Sequence, residues 1–554
     1  MSTNRKKSTG MNFLLQGSIL AIAGVITKII GIIYRVPLQR IVGDEGMGYY
    51  GIANSIYIVA LTLTSYSLPL AVSKLVSARA ATGHYKNAYK VFRTAMTFAL
   101  LVGGFVSLLV FFGASFISTH IMQSELAIYA LKVLAPCIFI VAILGTIRGF
   151  FQGMGSMIPT AISQIIEQIV NAIFSVGGAW YLLKKGTELA ALKKDDSYGP
   201  AVASAGGTLG TVMGAFFALV FVLLIFMTYK KYYKKKMRRD RTRETESYGF
   251  IVQVMLATIL PVIISGTINN IGDFLDSSIF NNVMSAQGVL KKDYVALLGT
   301  YTGSYATITR VPIAISTAIA SSFIPSLVAT VHTGTKRDVY RKINATMRFN
   351  MTLVIPCAVG FFVLAKPIMN LLFSGSNSDL AGNMLRVGAI SVVFYCLSTI
   401  TNSILQGIDE MMIPVKNAMI ALLIYVVSLC TMLIVFKWGI YSVVFSRIVY
   451  AGSLCILNAH AIREKIGYVQ DVKKIFVVPS IAAIIMGIFT ALFYFLLSLF
   501  VPGTVATVIA CFIAVFFYFL ALVMVGGIGE KELTSIPKGV VILRILRKLH
   551  LMRD

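Results

Sequence analysis

About fourteen uninterrupted apolar runs follow one another along this chain, and that succession limits its fold more than any motif does. A bilayer core of roughly 30 Å is crossed by about 20 apolar residues in a helix. Hydropathy places runs of that kind at 14–34, 51–73, 94–117, 126–148, 157–183, 200–228, 251–276, 300–325, 349–373, 383–405, 412–436, 439–460, 475–500 and 504–527. Inside hydrocarbon the backbone must satisfy its own hydrogen bonds, which leaves helices or closed barrels. The runs lack the apolar–polar alternation of barrel strands. The expectation is an all-α polytopic membrane protein. Only 13% of the residues are charged against 57% hydrophobic, and no stretch is long enough for a soluble catalytic domain.

The formal charge of +27 invites a nucleic-acid reading, but its placement argues for topology. Lys and Arg gather in alternate loops, as the positive-inside rule requires. Lys74, Arg79, Lys86, Lys90 and Arg93 follow the second run, and nine basic residues from Lys230 to Arg243 follow the sixth. Lys336, Arg337, Arg341, Lys342 and Arg348 follow the eighth, while the intervening loops are mixed, as at Lys193-Lys194-Asp195-Asp196. The expected location is a plasma membrane with both termini cytoplasmic, contacting anionic lipid and no nucleic acid. The first run follows Arg5, Lys6 and Lys7 and is too long for a signal h-region, so no cleaved leader is expected. All six cysteines fall in apolar runs without paired spacing, which predicts packing roles.

The chain is also written twice. TGHYKNAYKVFRTAMTF at 82–98 returns as TGTKRDVYRKINATMRF at 333–349, with Thr82, Gly83, Tyr89, Met96 and Phe98 matched by Thr333, Gly334, Tyr340, Met347 and Phe349. At nearly the same offset, Gln152-Gly153 with Met157 and Pro159 return as Gln406-Gly407 with Met412 and Pro414. Repeated halves are a transporter architecture, with the binding site between them. The repeat predicts a six-helix lobe at 1–228, a basic linker at 229–250, a second six-helix lobe at 251–460, two added helices at 475–527 and a basic amphipathic tail at 528–554. An even helix number per half predicts parallel rather than inverted lobes.

Ionisable side chains are costly in hydrocarbon and mark functional positions there. Gln164, Glu167, Gln168 and Asn171 share one face of the fifth helix, and Asn269, Asp273 and Asp276 one face of the seventh. Lys28 and Arg35 lie two turns apart across Gly31, and Asn54 adds a polar group in the second run. Such stripes line either a hydrated cavity or a helix interface. Competing structural readings are interhelical hydrogen bonding for the fifth-helix stripe, solvation of Asp276 at the membrane boundary, and an ion pair of Lys28 with Glu167 or Asp273. Lys132, Arg386 and Arg447 are close enough to helix ends to snorkel. No HExxH or CxxC occurs, and the Gly-rich piece at 205–210 lacks the lysine of a phosphate loop, reading instead as close helix packing. Without a nucleotide engine, uphill transport would draw on an ion gradient or the membrane potential.

Three stretches, GSILAIAGVITKIIGIIYRVPLQRIVGDEGMGYYGIANSIY at 17–57, SYSLPLAVSKLVSARAATGHYKNA at 65–88 and RVPIAISTAIASSFIPSLVATVHTG at 310–334, carry a family resemblance. The chain resembles the multidrug/oligosaccharidyl-lipid/polysaccharide exporter superfamily, in its polysaccharide biosynthesis and stage V sporulation protein B branch with the MurJ-like lipid II flippases. The resemblance implies two six-helix lobes plus two helices, working by alternating access on undecaprenyl-pyrophosphate-linked sugars for peptidoglycan, spore cortex or another surface polysaccharide. It implies substrate contact by Lys28, Arg35 and Arg310, whose charge suits a pyrophosphate. Lys28 stands where the pattern would have Arg, Tyr34 where it would have a basic residue, and Arg310 a turn from the usual place. By the same resemblance Asp273 and Asp276, with Thr399 and Asn402, are the ion-coupling candidates, Asp273 taking Na⁺ or H⁺. No other cofactor, no enzymatic activity and a monomer are expected. A cation-coupled multidrug antiporter would want an acidic aromatic cavity, which the three cations oppose. A membrane polysaccharide polymerase or ligase would want a long catalytic outer loop, and the outer loops here are short.

Overall fold

The computed structural model describes residues 2–240, 245–375 and 377–527, without the side chains of residues 2–18, Ala21, Asn269, Pro325 and Thr333. The expected basic tail at 528–554 and the middle of the linker lie outside the described residues. Every described element is helical, and thirteen stretches among them are long and apolar enough to cross a membrane. One of these, Ile22–Ala81, is 60 residues long and suffices for two crossings, so the expected number of about fourteen holds. Phe112, Leu423, Ile456 and Phe512 are exposed, as side chains dissolved in lipid are.

The first stretch departs from the sequence expectation. Residues 35–50 read as a loop, yet helix α1 runs Ser2–Thr64 with a single break at Gly43, whose φ of 72° and ψ of 179° suit a residue without Cβ. Polar residues there depress hydropathy, but several are hydrogen-bonded to each other within the helix. Gln39 Nε2 donates to Asp44 Oδ1 at 2.7 Å and Tyr49 OH to Glu45 Oε1 at 2.9 Å.

The chain packs into two compact units. One is Met1–Gly303 with Met432–Ile440, the other Ser304–Thr431 with Tyr441–Asp554. The repeat records where sequence recurs, whereas the units record where the chain packs, so the seventh apolar run lies with the first unit.

The first unit holds α1, α2 (Leu68–Ala81), α3 (Tyr85–Phe98), α4 (Gly104–Phe116), α5 (Ile128–Gly153), α6 (Ile158–Lys193), α7 (Tyr198–Arg239), α8 (Tyr248–Ala286) and α9 (Lys291–Gly299). Leu68, Val72, Phe92, Phe150, Tyr233 and Ile251 are part of its core. Helices α6 and α7 form a long hairpin whose backbones nearly touch. A Cβ on Gly206 would lie 2.3 Å from Gly178 O, so the glycine-rich piece serves close packing, as its composition predicts. Helix α7 continues to Arg239, well into the basic linker.

The second unit holds α10 (Ala306–Thr333), α11 (Lys336–Val363), α12 (Ala365–Leu372), α13 (Ser378–Gly407), α14 (Met412–Ile434) up to Thr431, α15 (Ile440–Ile466) from Tyr441, α16 (Val478–Ser498) and α17 (Gly503–Met524). Phe323, Leu327, Ile343, Met347 and Ile400 are part of its core, and α16 stacks on α17 through Phe489 and Phe517, 4.5 Å apart.

The repeated motifs have local physical causes. Gly153 and Gly407 are the last residues of α5 and α13, and Pro159 and Pro414 lie in the first turns of α6 and α14. At both glycines a Cβ would crowd a neighbouring helix, 2.8 Å from Ser73 O at Gly153 and 2.7 Å from Leu327 Cδ2 at Gly407, and a proline is tolerated where no intrahelical N–H bond is lost. In the other echo the tyrosines hold the segment leaving the last helix of each sequence half. Tyr89 packs on Tyr233, while Tyr340 donates to Ile466 O and packs on Tyr468.

Candidate translocation site

The candidate site groups in the first unit are carried by α1, α6 and α8, with α5 and α7 packed around them. On α1, Arg35 is half-buried and interacts electrostatically with Tyr34, Tyr50 and Asp273, so an α1 cation and an α8 carboxylate share one neighbourhood. Lys28 is exposed, two turns away. Gly31 between them faces α6, where a Cβ would sit 3.8 Å from Gln168 Oε1.

The α6 stripe divides into two uses. Asn171 is buried, with its Nδ2 3.4 Å from Tyr34 OH and its Oδ1 accepting from Ser175 Oγ at 2.8 Å. That is interhelical hydrogen bonding of the kind membrane helices use as glue. Glu167 instead forms an ion pair with Arg148 of α5, Nη2 to Oε2 2.8 Å, and Arg148 Nε also donates to Ser163 Oγ at 2.9 Å. The pair is largely shielded, with side-chain exposures of 12% and 26%. The suggested Lys28–Glu167 pair is therefore corrected: the partner of Glu167 is Arg148. Arg148 was missed because it sits at the end of its apolar run, where a basic residue reads as a topological marker. Glu167 on the α6 stripe was the available signal that a buried partner was needed. Gln164 and Gln168 are half-buried, and Gln164 Oε1 is a buried acceptor with no hydrogen bond. Nearby Tyr57 OH lies 3.2 Å from Cys137 Sγ, one of six free cysteines, and Asn54 is half-buried one turn before Tyr57.

On α8, Asp276 is only 1% exposed, with Tyr301 OH 3.5 Å from its Oδ2. The boundary-solvated reading of Asp276 is thereby overturned: a carboxylate one turn from Asp273 on the same helix face is packed inside the unit. Asp273 is half-buried, and its carbonyl accepts from Ser277 Oγ. The side chain of Asn269 lies outside the described residues, while its neighbour Asn270 places Nδ2 3.4 Å from Thr62 Oγ1.

The remaining candidates lie in the second unit. Arg310 is exposed on α10. Thr399 donates to Tyr395 O within α13, and Asn402 Oδ1 accepts from Asn458 Nδ2 at 2.8 Å. Asn458 is fully buried, also reaches Thr401 Oγ1 at 3.1 Å and accepts from Asn417 Nδ2 at 2.9 Å. This three-helix amide cluster accounts for Asn402 as an interhelical link.

A polytopic helical bundle with ionised groups held inside its apolar body is the build of a membrane transporter. Comparison with known proteins makes this specific. Residues 14–331 match the family described as polysaccharide biosynthesis protein, and the chain belongs to that family. It is 25% identical to the lipid II flippase MurJ of Bacillus subtilis strain 168 over 75% of this chain and 76% of that one. The stage V sporulation protein B of the same organism is 24% identical over 74% and 76%. Among solved structures, lipid II flippase MurJ in an inward closed conformation superposes with a TM-score of 0.60 at 14% identity, covering 91% of this chain and 97% of that one. A multidrug resistance MATE family transporter of the MOP superfamily, inward-facing, gives 0.61 at 16% identity over 80% and 94%. The fold is that of the MOP superfamily, and the chain is a multi-pass membrane protein.

Proposed function

We propose that this protein is a flippase that moves an undecaprenyl-pyrophosphate-linked oligosaccharide or cell-wall precursor from the inner to the outer leaflet of a bacterial plasma membrane. The activity is transport by alternating access, not enzymatic catalysis, with both termini cytoplasmic. The observation that carries the reading is Arg35, a guanidinium half-buried inside the first unit beside Asp273, with Lys28 two turns away on α1. A fixed cation in a low-dielectric interior suits a pyrophosphate and repels the cationic drugs an antiporter would carry. The family match and the similarity to flippases of lipid-linked precursors support the same substrate class.

The Arg35–Asp273 neighbourhood also suggests how cargo and ion are linked. An arriving pyrophosphate competes with the Asp273 carboxylate for Arg35. The released carboxylate then has reason to take Na⁺ or H⁺, and Asp276 one turn along adds negative charge. Arg310, exposed on α10, is a candidate substrate contact of the second unit. The protein acts as a monomer.

The test is depletion in the native cell with quantification of undecaprenyl-linked precursors in the inner leaflet. One such precursor should accumulate; accumulation of none would refute the proposal.

A further inference from the structure

Within the second unit, α11, α13 and α16 line an open groove of about 970 Å³, at the upper end of the ~300–1,000 Å³ common for ligand sites. Its wall includes Ile355 and Phe362 of α11, Val393 and Leu397 of α13, and Ile484 and Ile488 of α16. Only Arg386 and Ser480 among the lining residues carry polar side chains. Along α13 the wall runs from Arg386 to Leu397, about 16 Å at 1.5 Å per residue. That is close to half of the roughly 30 Å hydrocarbon core, the depth of a single leaflet. The space is thus an elongated apolar slot of one-leaflet length with a cation at one end.

Arg386 is the unusual member. It is exposed two turns inside α13, with its guanidinium over the Phe362 ring at 6.0 Å from the centroid. The ring holds the guanidinium in place through its quadrupole but leaves the edge N–H donors available. Asp379, two turns nearer the start of α13, is paired with Lys366 Nζ at 3.1 Å. The three groups at this end therefore sum to one positive charge. An uncompensated guanidinium beside a lipid-depth slot selects an anion with an apolar chain.

We propose that the slot binds an anionic diacyl phospholipid of the surrounding membrane, acyl chain between α11, α13 and α16 and phosphodiester on Arg386. The occupant is a resident lipid rather than the transported carrier, because an undecaprenyl chain is more than twice as long as the slot. The lipid completes the packing of α16, and its binding depends on neither Lys28 nor Arg35. The inference goes beyond the flippase reading and stands without it.

The test uses the full chain, purified in mild detergent and examined by native mass spectrometry and by extraction of bound lipid. The wild type should retain phosphatidylglycerol in preference to phosphatidylethanolamine. Arg386→Gln should lower that retention about tenfold, and Ile484→Trp, which fills the slot, should abolish it. A melting curve and gel-filtration profile for each variant separate lost binding from lost folding, and Lys28→Ala/Arg35→Ala should retain the lipid unchanged. Equal retention of both phospholipids, undiminished retention in well-folded Arg386→Gln, or retention of undecaprenyl phosphate in place of phospholipid would each overturn the proposal.

Discussion

The two units bury different kinds of polarity. The first holds ionisable side chains inside: Arg35 within electrostatic reach of Asp273, Arg148 paired with Glu167, and Asp276 with Tyr301 beside it. The second, apart from Arg447 of α15 over the Tyr425 ring of α14 at 5.5 Å, joins helices away from their ends with neutral groups. Asn350 accepts from Ser316 at 2.8 Å, and Asn417, Asn458 and Asn402 link α14, α15 and α13. Amides across membrane helices act as glue worth about 0.6 kcal/mol each. Charges in the same setting cost several times that and persist where they do chemistry. Under the proposed flippase function, substrate handling falls mainly to the first unit and helix cohesion to the amide core of the second.

The largest expected effect is on activity. Arg35→Ala and Lys28→Ala should each abolish complementation of a depleted strain at unchanged membrane abundance, measured by immunoblot, whereas Asn402→Ala should complement. Arg35→Lys keeps charge but loses the planar fork and should restore only part of the activity. Full activity of Arg35→Ala would break the contrast between the units. Next comes stability. Arg148→Ala leaves Glu167 without its partner; breaking fully buried pairs costs about 3–5 kcal/mol, and the partial exposure here reduces that to about 1–3. Thermal unfolding in detergent checks it. Arg148→Met/Glu167→Leu should regain the stability, and if it also regains transport the pair is structural only.

Much of this contrast was legible in the sequence, and the illegible part has a common cause. Apolar runs and repeats depend on local composition, so the helices and the Gly206 contact followed from residue type alone. Lys28, Glu167 and Asp273 stood out because charge inside an apolar run is conspicuous, and Arg35 because it directly follows one. Partnership is a property of the folded chain, and there the sequence misled. Arg148 lay at a run boundary, and for the same reason solvation of Asp276 stayed open as an alternative to its place on the intramembrane stripe. Residues 35–50 looked like a loop because hydropathy does not register that Asp44 and Glu45 are hydrogen-bonded by Gln39 and Tyr49. Asn458 lay in the twelfth apolar run with no charged neighbour to mark it.

The amide core supplies the intermediate effect. Asn458→Leu removes hydrogen bonds to Thr401, Asn402 and Asn417, which at about 0.6 kcal/mol each predicts a loss near 1–2 kcal/mol with transport retained. A larger loss than for Arg148→Ala would reverse the ranking of the two interiors.

The smallest effect separates the two copies of the repeat. Beyond the phenol of Tyr233, which donates to Tyr85 O at 2.9 Å, the first copy is also fastened by charge: Arg79 Nε lies 3.0 Å from both carboxylate oxygens of Glu246, Lys86 N donates to Asp240, and Glu246 N donates to Asn87. The second copy is fastened by phenols: Tyr340 donates to Ile466 O, and Tyr468 donates to Asn344 Oδ1 at 2.6 Å. Burial pushes the Tyr468 phenol above its ordinary pKa, which keeps the proton it donates. The Arg79–Glu246 pair has the same side-chain exposures as Arg148–Glu167, 12% and 26%, but both its residues lie between apolar runs, where water reaches an ion pair and leaves it worth about 0.2–1 kcal/mol and screened by salt. Glu246→Gln should therefore lower stability by no more than about 1 kcal/mol, with the deficit shrinking as ionic strength rises. Tyr468→Phe should cost about 0.5–1.5 kcal/mol with no salt dependence. Thermal melts of both variants at low and high salt distinguish the fasteners, and an identical salt response in the two would erase the distinction between the copies.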